Sequence, residues 1–356
     1  MSVSVGNADF RAMPTNPNAR VTGVHESLLQ ECEKDIIWYR DNFFGRPHAN
    51  YIAAESARGP LAISVILSGD TYKALIRTTQ GAERLSVPAA SVPVPLLRRL
   101  FGLGPCMPTL INAFSTSLPV ANLRACRDPA LPNELLAVEE RQVIRSYKFG
   151  VTYLAPGQTT EEEMFANKHE NASPAFKQFL NFLGETIELR NWKSYRAGLD
   201  VSGSNNTGTH SVYTKWQGYE VMFHVSTLLP HNPSDRQQLE RKRHIGNDIV
   251  VIIFQEDATP FQLTTLTSHQ NHIVAVVQPH GANQYRLSLY TKNGVPTFTP
   301  ELPEPAVIGR DAISRDFFLH KLVNGERASY KSPSFAPKIS RTRGVLLWEV
   351  ASKYLK

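Results

Sequence analysis

Cysteine is scarce in this sequence. Cys32, Cys106 and Cys126 are the only three in 356 residues, an odd number with no CxxC spacing. Such a set supports neither a disulfide framework nor a zinc knuckle. Long apolar runs are missing too: the run over 249–254 is six residues, against the ~18 or more that a membrane span needs. Residues 1–20 are polar and hold no apolar stretch that would serve as a secretory signal. A cytoplasmic protein is therefore expected, and the sequons Asn171-Ala172-Ser173 and Asn205-Asn206-Thr207 read as accidental. Enzymatic signatures are lacking as well. No GxxxxGKS/T phosphate loop, HExxH or GxSxG occurs, and Gly102-Leu103-Gly104 lacks the third glycine of a dinucleotide fingerprint. His269 and His272 fall short of a zinc ligand set, so neither a metal nor a cofactor is expected.

What is present is an ordinary globular composition, 42% hydrophobic and 20% charged. At ~100–200 residues per domain, two domains are expected. The net charge of +6 is uneven: residues 1–144 hold 14 basic and 13 acidic side chains, and the remainder 24 and 19. An excess in the second half suits an acidic partner without choosing between protein, phosphate ligand and nucleic acid. Interleaved aromatics or a base-reading helix are missing, so nucleic acid is not expected.

Residues 1–20 read as a loose leader. Leu28, Leu29, Cys32, Ile36 and Tyr39 recur at helical spacing until Gly45-Arg46-Pro47. Strands are predicted over 61–67 and 72–78, and short elements over 87–132. From Val143 the texture becomes a regular alternation. Thr160 and Glu163 form a capping-box pattern. Ser173-Pro174 starts a helix whose Phe176, Phe179, Leu180 and Leu183 share a face, with Gly184 at its C′ position. Strands are predicted at 219–225, 248–254, 272–277 and 285–290, and helices at 313–323 and 339–355. After Asp248 the 248–254 run is apolar throughout and mostly β-branched, as a central buried strand requires. The class is α/β. His224 is expected on the less buried face of its strand, and 200–209 as a polar connection.

The segment 232–248 stands apart. Asn232-Pro233 reads as a helix start, Asp235 favours the positive end, and Arg241 to His244 favour the negative end. Gly246 and Asn247 supply a stop tolerant of unusual φ. Leu239 is the one apolar residue from Ser234 to His244, so the helix is expected to be largely exposed. Arg243, His244 and Asn247 fall within one ~100° arc. Two readings stay open on residues alone: a solvated helix with a stop, or a cationic face carrying a carboxamide on a rigid mount.

The run Arg241-Lys242-Arg243-His244-Ile245-Gly246-Asn247-Asp248-Ile249-Val250 resembles the signature of the Rap GTPase-activating protein family. The likeness continues through Glu220 to Thr227, Tyr147 to Gly150, Gly198-Leu199-Asp200, Phe317 to Lys321 and Arg341-Thr342-Arg343, in the family's order. Tyr39-Arg40, Phe44-Gly45 and His48-x-Asn50-Tyr51 are similar to its dimerisation domain. The resemblance implies a G-domain-like α/β catalytic domain over 143–356, a central sheet flanked by helices. A smaller α+β dimerisation domain over 21–142 would precede it, with a leader at 1–20. It also implies a mechanism. Many GTPases carry a Gln that orients the attacking water, and many activators add an arginine finger. Rap lacks that Gln, and the family supplies an asparagine in trans, here Asn247, with no arginine finger. Lys148, Lys242, Arg243, His244 and Arg341 match positions that hold the GTPase. Asp248 is expected to bond backbone groups at the junction. The chain is then a GTPase activator with no reaction of its own, a homodimer acting on GTP-bound Rap and reaching membranes only by recruitment. A Ral- or Rheb-directed activator and a non-catalytic GTPase-binding scaffold are the alternatives.

Overall fold

The structure, a computed structural model, describes residues 3–4, 9–24, 33–263 and 268–355. It divides into two compact units: Met1–Leu29 with Arg145–Phe335, and Gln30–Ile144 with Ala336–Lys356. Among the described residues no helix is long and apolar enough to cross a membrane.

The first unit is built on a nine-stranded mixed sheet. Its elements are β1 (Phe10–Ala12), β2 (Ser146–Leu154), α1 (Glu161–Ala166), α2 (Pro174–Leu183), β3 (Glu185–Glu188), β4 (His210–Trp216), β5 (Tyr219–Val225), α3 (Leu239–Gly246), β6 (Val250–Gln255), β7 (Ile273–His280), β8 (Gln284–Lys292), β9 (Val307–Gly309) and α4 (Ala312–Ser329). The order is β3-β4-β5-β2-β6-β7-β8-β9, with β1 also pairing β8. The centre, β5-β2-β6-β7, is parallel and the flanks antiparallel. All six residues of β6 are buried, because a parallel strand at the centre is covered on both faces. One face sets Val251 and Ile253 in a core with Met164 and Phe165 of α1 and Ile245 of α3. On the other, Phe254 stacks with Phe176 and Phe179 of α2. Phe179 in turn meets Phe318 of α4 edge-on.

Local signals account for several ends. Thr160 and Glu163 form the reciprocal capping box of α1, and the Ser173 side chain accepts from the Phe176 N–H at the start of α2. Gly184 ends α2 for a reason different from the expected one. Its backbone is extended, and a Cβ there would stand 2.4 Å from the Tyr213 carbonyl oxygen, so close approach to β4 demands the glycine.

The second unit is a five-stranded antiparallel sheet, ordered Gly81–Pro88, Thr71–Thr78, Leu61–Ser68, Ala49–Ala53, Arg124–Cys126. Helices Met107–Phe114, Leu131–Glu140, Lys34–Asn42 and Ala336–Tyr354 accompany it. The sequence pattern missed the strand Gly81–Pro88. The helix anticipated from Leu28 to Tyr39 is described as Lys34–Asn42; Leu28, Leu29 and Cys32 lie outside the described residues.

The expected boundaries change at both ends. Residues 9–16 are no loose leader: Phe10 is buried and β1 pairs with β8, while Arg11 Nη2 donates to the Val295 carbonyl at 2.7 Å. The last helix groups with the smaller unit, not with 143–335. Leu347, Val350 and Ala351 pack against Ile52, Ala62, Leu131, Leu135 and Val138. Arg343 makes a buried two-pronged bond to Glu139, at 2.8 and 3.0 Å.

Candidate functional site

Helix α3 begins at Leu239, later than its sequence suggests. Residues 232–238 form turns, because the Gln238 amide bonds back to Asn232 and Asp235 and Gln238 itself takes a left-handed backbone, φ 51°. Asp235 still serves the positive end: its Oδ2 accepts from the Leu239 N–H at 2.7 Å.

The anchoring also departs from expectation. Leu239 is exposed, and Arg241 is the buried residue. Its Nε donates to the Leu229 and Pro230 carbonyls at 3.1 and 3.2 Å, Nη1 to Phe165 and Asn167 at 2.7 Å each, and Nη2 to Leu229 at 2.8 Å. Burial pulls its pKa down to about 10, so it remains a cation at neutral pH. A guanidinium offers five N–H groups in a fixed fork, which is what several diverging carbonyls require. One turn on, Ile245 reaches the core. The strand beneath makes room with Gly150, where a Cβ would meet Ile245 Cγ2 at 3.0 Å.

The helix stop is fixed from outside. Four consecutive carbonyls at this end, 245–248, all accept from side chains. Asn271 Nδ2 donates to Ile245 O at 3.1 Å and Asp248 O at 2.6 Å, Ser268 Oγ to Gly246 O, and Lys148 Nζ to Asn247 O at 2.8 Å. Neither Gly246 nor Asn247 uses a positive φ; Asn247 sits at φ −89°, ψ 2°, its N–H shared between the Arg243 and His244 carbonyls. Its backbone is thus held on both sides, while its carboxamide is exposed and makes no hydrogen bond among the described residues.

Asp248, fully buried, does not bond backbone groups with its side chain as expected. Its carboxylate takes Lys148 Nζ at 2.9 Å and His224 Nδ1 at 2.8 Å. His224 is buried too, against the sequence expectation, with Nε2 facing the Ala197 carbonyl at 3.0 Å. Lys148 and Gly150 alternate on β2, and His224 is the cross-strand partner of Gly150. All three therefore project to the face that α3 covers. His244 is half-buried, its ring 5.5 Å from that of His224. Burial, reinforced by His224 and Arg243, holds it below the ordinary imidazole range.

The remaining cations are paired rather than free. Lys242 bonds Glu161 at 2.9 Å, Arg243 bonds Glu240 at 2.6 Å, and Arg236 bonds Glu162 at 3.0 Å. The Arg243 and Arg236 pairs are solvent-exposed and worth ~0–1 kcal/mol, so an incoming carboxylate exchanges with them at little cost, whereas the Lys242–Glu161 pair is largely covered. Lys148 and His244 gather with Asn247 at the C-terminal end of α3, Arg243 one turn before Asn247, while Lys242 lies mid-helix against Glu161. Arg341 is an exposed residue on Ala336–Tyr354, a helix of the other unit, with no hydrogen bond or ion pair among the described residues. No group of three or more His, Cys, Asp and Glu that could hold a metal ion occurs among the described residues. His272 is buried at the start of β7, its ring 4.6 Å from Phe335.

The Rap/ran-GAP family model matches residues 164–344, a span that contains α3 and Asn247. The chain is 39% identical over 355 residues to GTPase-activating Rap/Ran-GAP domain-like protein 3 of Danio rerio, covering 97% of this chain and 33% of that protein. It is 35% identical to signal-induced proliferation-associated 1-like protein 2 of Rattus norvegicus, over 93% of this chain and 20% of that protein. The chain thus spans about a third or less of the length of these relatives. Among solved structures, one described as the structure of the TSC2 GAP domain is similar with a TM-score of 0.46 and 29% identity, covering 54% of this chain and 99% of that one. The chain belongs to the Rap/ran-GAP family.

Proposed function

We propose that this chain accelerates GTP hydrolysis by a Rap-type small GTPase, with Asn247 supplied in trans to position the attacking water. The observation that carries this reading is the contrast at one residue. The Asn247 backbone is tied down from both sides while its carboxamide is exposed and unengaged among the described residues. A carboxamide both accepts and donates. It can therefore take a hydrogen bond from water while donating towards the γ-phosphoryl oxygens, the positioning that a GTPase lacking its own Gln needs. Asn is one methylene shorter than Gln, so the helix must bring it in, and α3 is a rigid carrier. Lys148, Lys242, Arg243, His244 and Arg341 would hold the GTPase, and the chemistry would remain the partner's own. The same family likeness supports a homodimer formed through the dimerisation domain at 21–142. Light scattering giving twice the 39.8 kDa chain mass supports it, and a monomer mass overturns it.

The decisive experiment measures GTP hydrolysis by purified Rap, Ral and Rheb with catalytic amounts of this protein and of Asn247→Ala. Residues donated in trans to GTPases are worth roughly 10³–10⁵ in rate. Asn247→Ala should therefore lose at least about 10² in stimulated rate while still binding GTP-loaded Rap. Stimulation of Ral or Rheb alone would move the assignment to those GTPases, and binding without any stimulation would make the chain a scaffold. A folded Asn247→Ala protein with near wild-type stimulation would remove Asn247 from the chemistry.

A further inference from the structure

We propose that the segment 96–103 seats this chain on an anionic lipid surface. The short helix Leu96–Leu100 and the turn after it leave Leu96 73%, Leu97 70%, Leu100 73%, Phe101 77% and Leu103 52% exposed. Four of these are the most exposed large apolar side chains among the described residues, and all five fall within eight residues. The segment is an ordered turn and not a frayed loop. Phe101 N–H donates to Leu97 O, Gly102 N–H to Arg99 O, and Leu103 N–H to Arg98 O at 2.8 Å. Arg98 Nε closes the turn onto Gly104 O at 2.8 Å, and Gly102 takes the positive φ of 64° that the reversal needs. These bonds hold the apolar side chains in a fixed outward array.

Charge selects the occupant. Residues 96–103 carry Arg98 and Arg99 and no Asp or Glu. Arg98 Nε is turned onto Gly104 O, and Arg99 has no hydrogen bond or ion pair among the described residues. A second copy docked across a two-fold axis would set this acid-free patch against itself, arginine opposite arginine, with no carboxylate of its own to relieve them. Anionic headgroups supply the missing sign. The leucines and Phe101 would enter the acyl boundary while the guanidinium groups of Arg98 and Arg99 stay at the phosphates.

The test is co-sedimentation of the whole chain with phosphatidylcholine vesicles and with vesicles that also carry phosphatidylserine, at physiological ionic strength. Binding is expected to the second kind only. Leu100→Glu with Phe101→Glu should abolish it without lowering the melting temperature, since both side chains are already in water. Arg98→Ala with Arg99→Ala should weaken the partition roughly 30-fold, from ~1 kcal/mol per basic residue at such a surface. Binding that ignores phosphatidylserine, or no vesicle binding at all, overturns the proposal. So does a Leu100→Glu, Phe101→Glu protein that still binds vesicles, or one that shows by light scattering that a dimer has fallen apart, since the patch would then be a copy-to-copy interface.

Discussion

Lys148 reaches across to Asn247 O at 2.8 Å and to the buried carboxylate of Asp248 at 2.9 Å, with a third of its side chain still exposed. Two roles are therefore separable. As a surface cation it would help hold a partner; as a strut it fixes the peptide on which the Asn247 carboxamide rides. Lys148→Met keeps most of the apolar stem and deletes the strut. We expect the maximal stimulated rate to fall more than the half-maximal GTPase concentration rises, because misplacing a positioning group by about 1 Å costs ~10²-fold. Lys242, paired with Glu161 away from the Asn247 peptide, should behave in the opposite way. Lys242→Ala is expected to raise the half-maximal concentration, increasingly at low salt, and to leave the maximal rate alone, since rim charges act through association and are screened over ~8–10 Å. Steady-state titrations at two ionic strengths distinguish the two variants. Identical behaviour of both would remove the strut role from Lys148.

At the scale of the element, α4 carries three buried ionisable side chains whose effects on stability can be signed. Desolvation, with Arg327 and Lys321 nearby, lowers His320 to about 4. Burial raises Glu326 to about 7, with the Tyr330 hydroxyl donating to it at 2.6 Å. Burial lowers Lys321 to about 7, its Nζ donating to the Phe298 and Pro300 carbonyls. Between pH ~4 and ~6.5 the unfolded chain holds a proton on His320 that the folded chain lacks, so this group makes stability rise with pH. Between ~4.5 and ~7 the folded chain holds a proton on Glu326 that the unfolded chain has lost, so that group makes stability fall. Each is worth roughly 3 kcal/mol in full, and over ~4.5–6.5 they nearly cancel. From pH ~7 to ~10.5 Lys321 acts alone and stability should climb. Urea midpoints across pH 7–9 test this: a rising limb is expected, and Lys321→Met should remove the rise. A rise that survives in Lys321→Met would assign it to another group. Legibility in the sequence follows the same division between local and non-local causes. The β-branched run 248–254 announced β6, and Thr160 and Glu163 announced the start of α1, because strand burial and capping are written in adjacent residues. Arg241 and His224 were illegible. A charged residue in a polar helix normally faces water, and the acceptors that keep Arg241 inside come from 165, 167, 229 and 230.

On the scale of the whole chain, sequence order and physical grouping part company at residue 335. A helical pattern near the C-terminus is easy to see, but the pattern does not say which core receives it. Leu347, Val350 and Ala351 enter the core built by Ala49–Ala53, Leu61–Ser68 and Leu131–Glu140. Arg343, four per cent exposed at its side chain, forks onto Glu139, which Arg77 also faces at 3.3 Å. A chain ended at Phe335 would therefore remove part of the smaller unit and not of the unit that carries Asn247. Losing the buried leucine and valine removes ~1.5–3 kcal/mol each. Stripping a buried carboxylate of its two-pronged partner costs ~3–5 kcal/mol more. The total, roughly 6–11 kcal/mol, is comparable to the ~5–15 kcal/mol that holds a whole domain together. Hydrogen exchange on the shortened chain should then show the amides of Leu61–Ser68 and Thr71–Thr78 unprotected while those of β6 stay protected. Full protection of Leu61–Ser68 without the last helix would mean that the smaller unit folds without it, and that the Arg343–Glu139 pair is dispensable to its core.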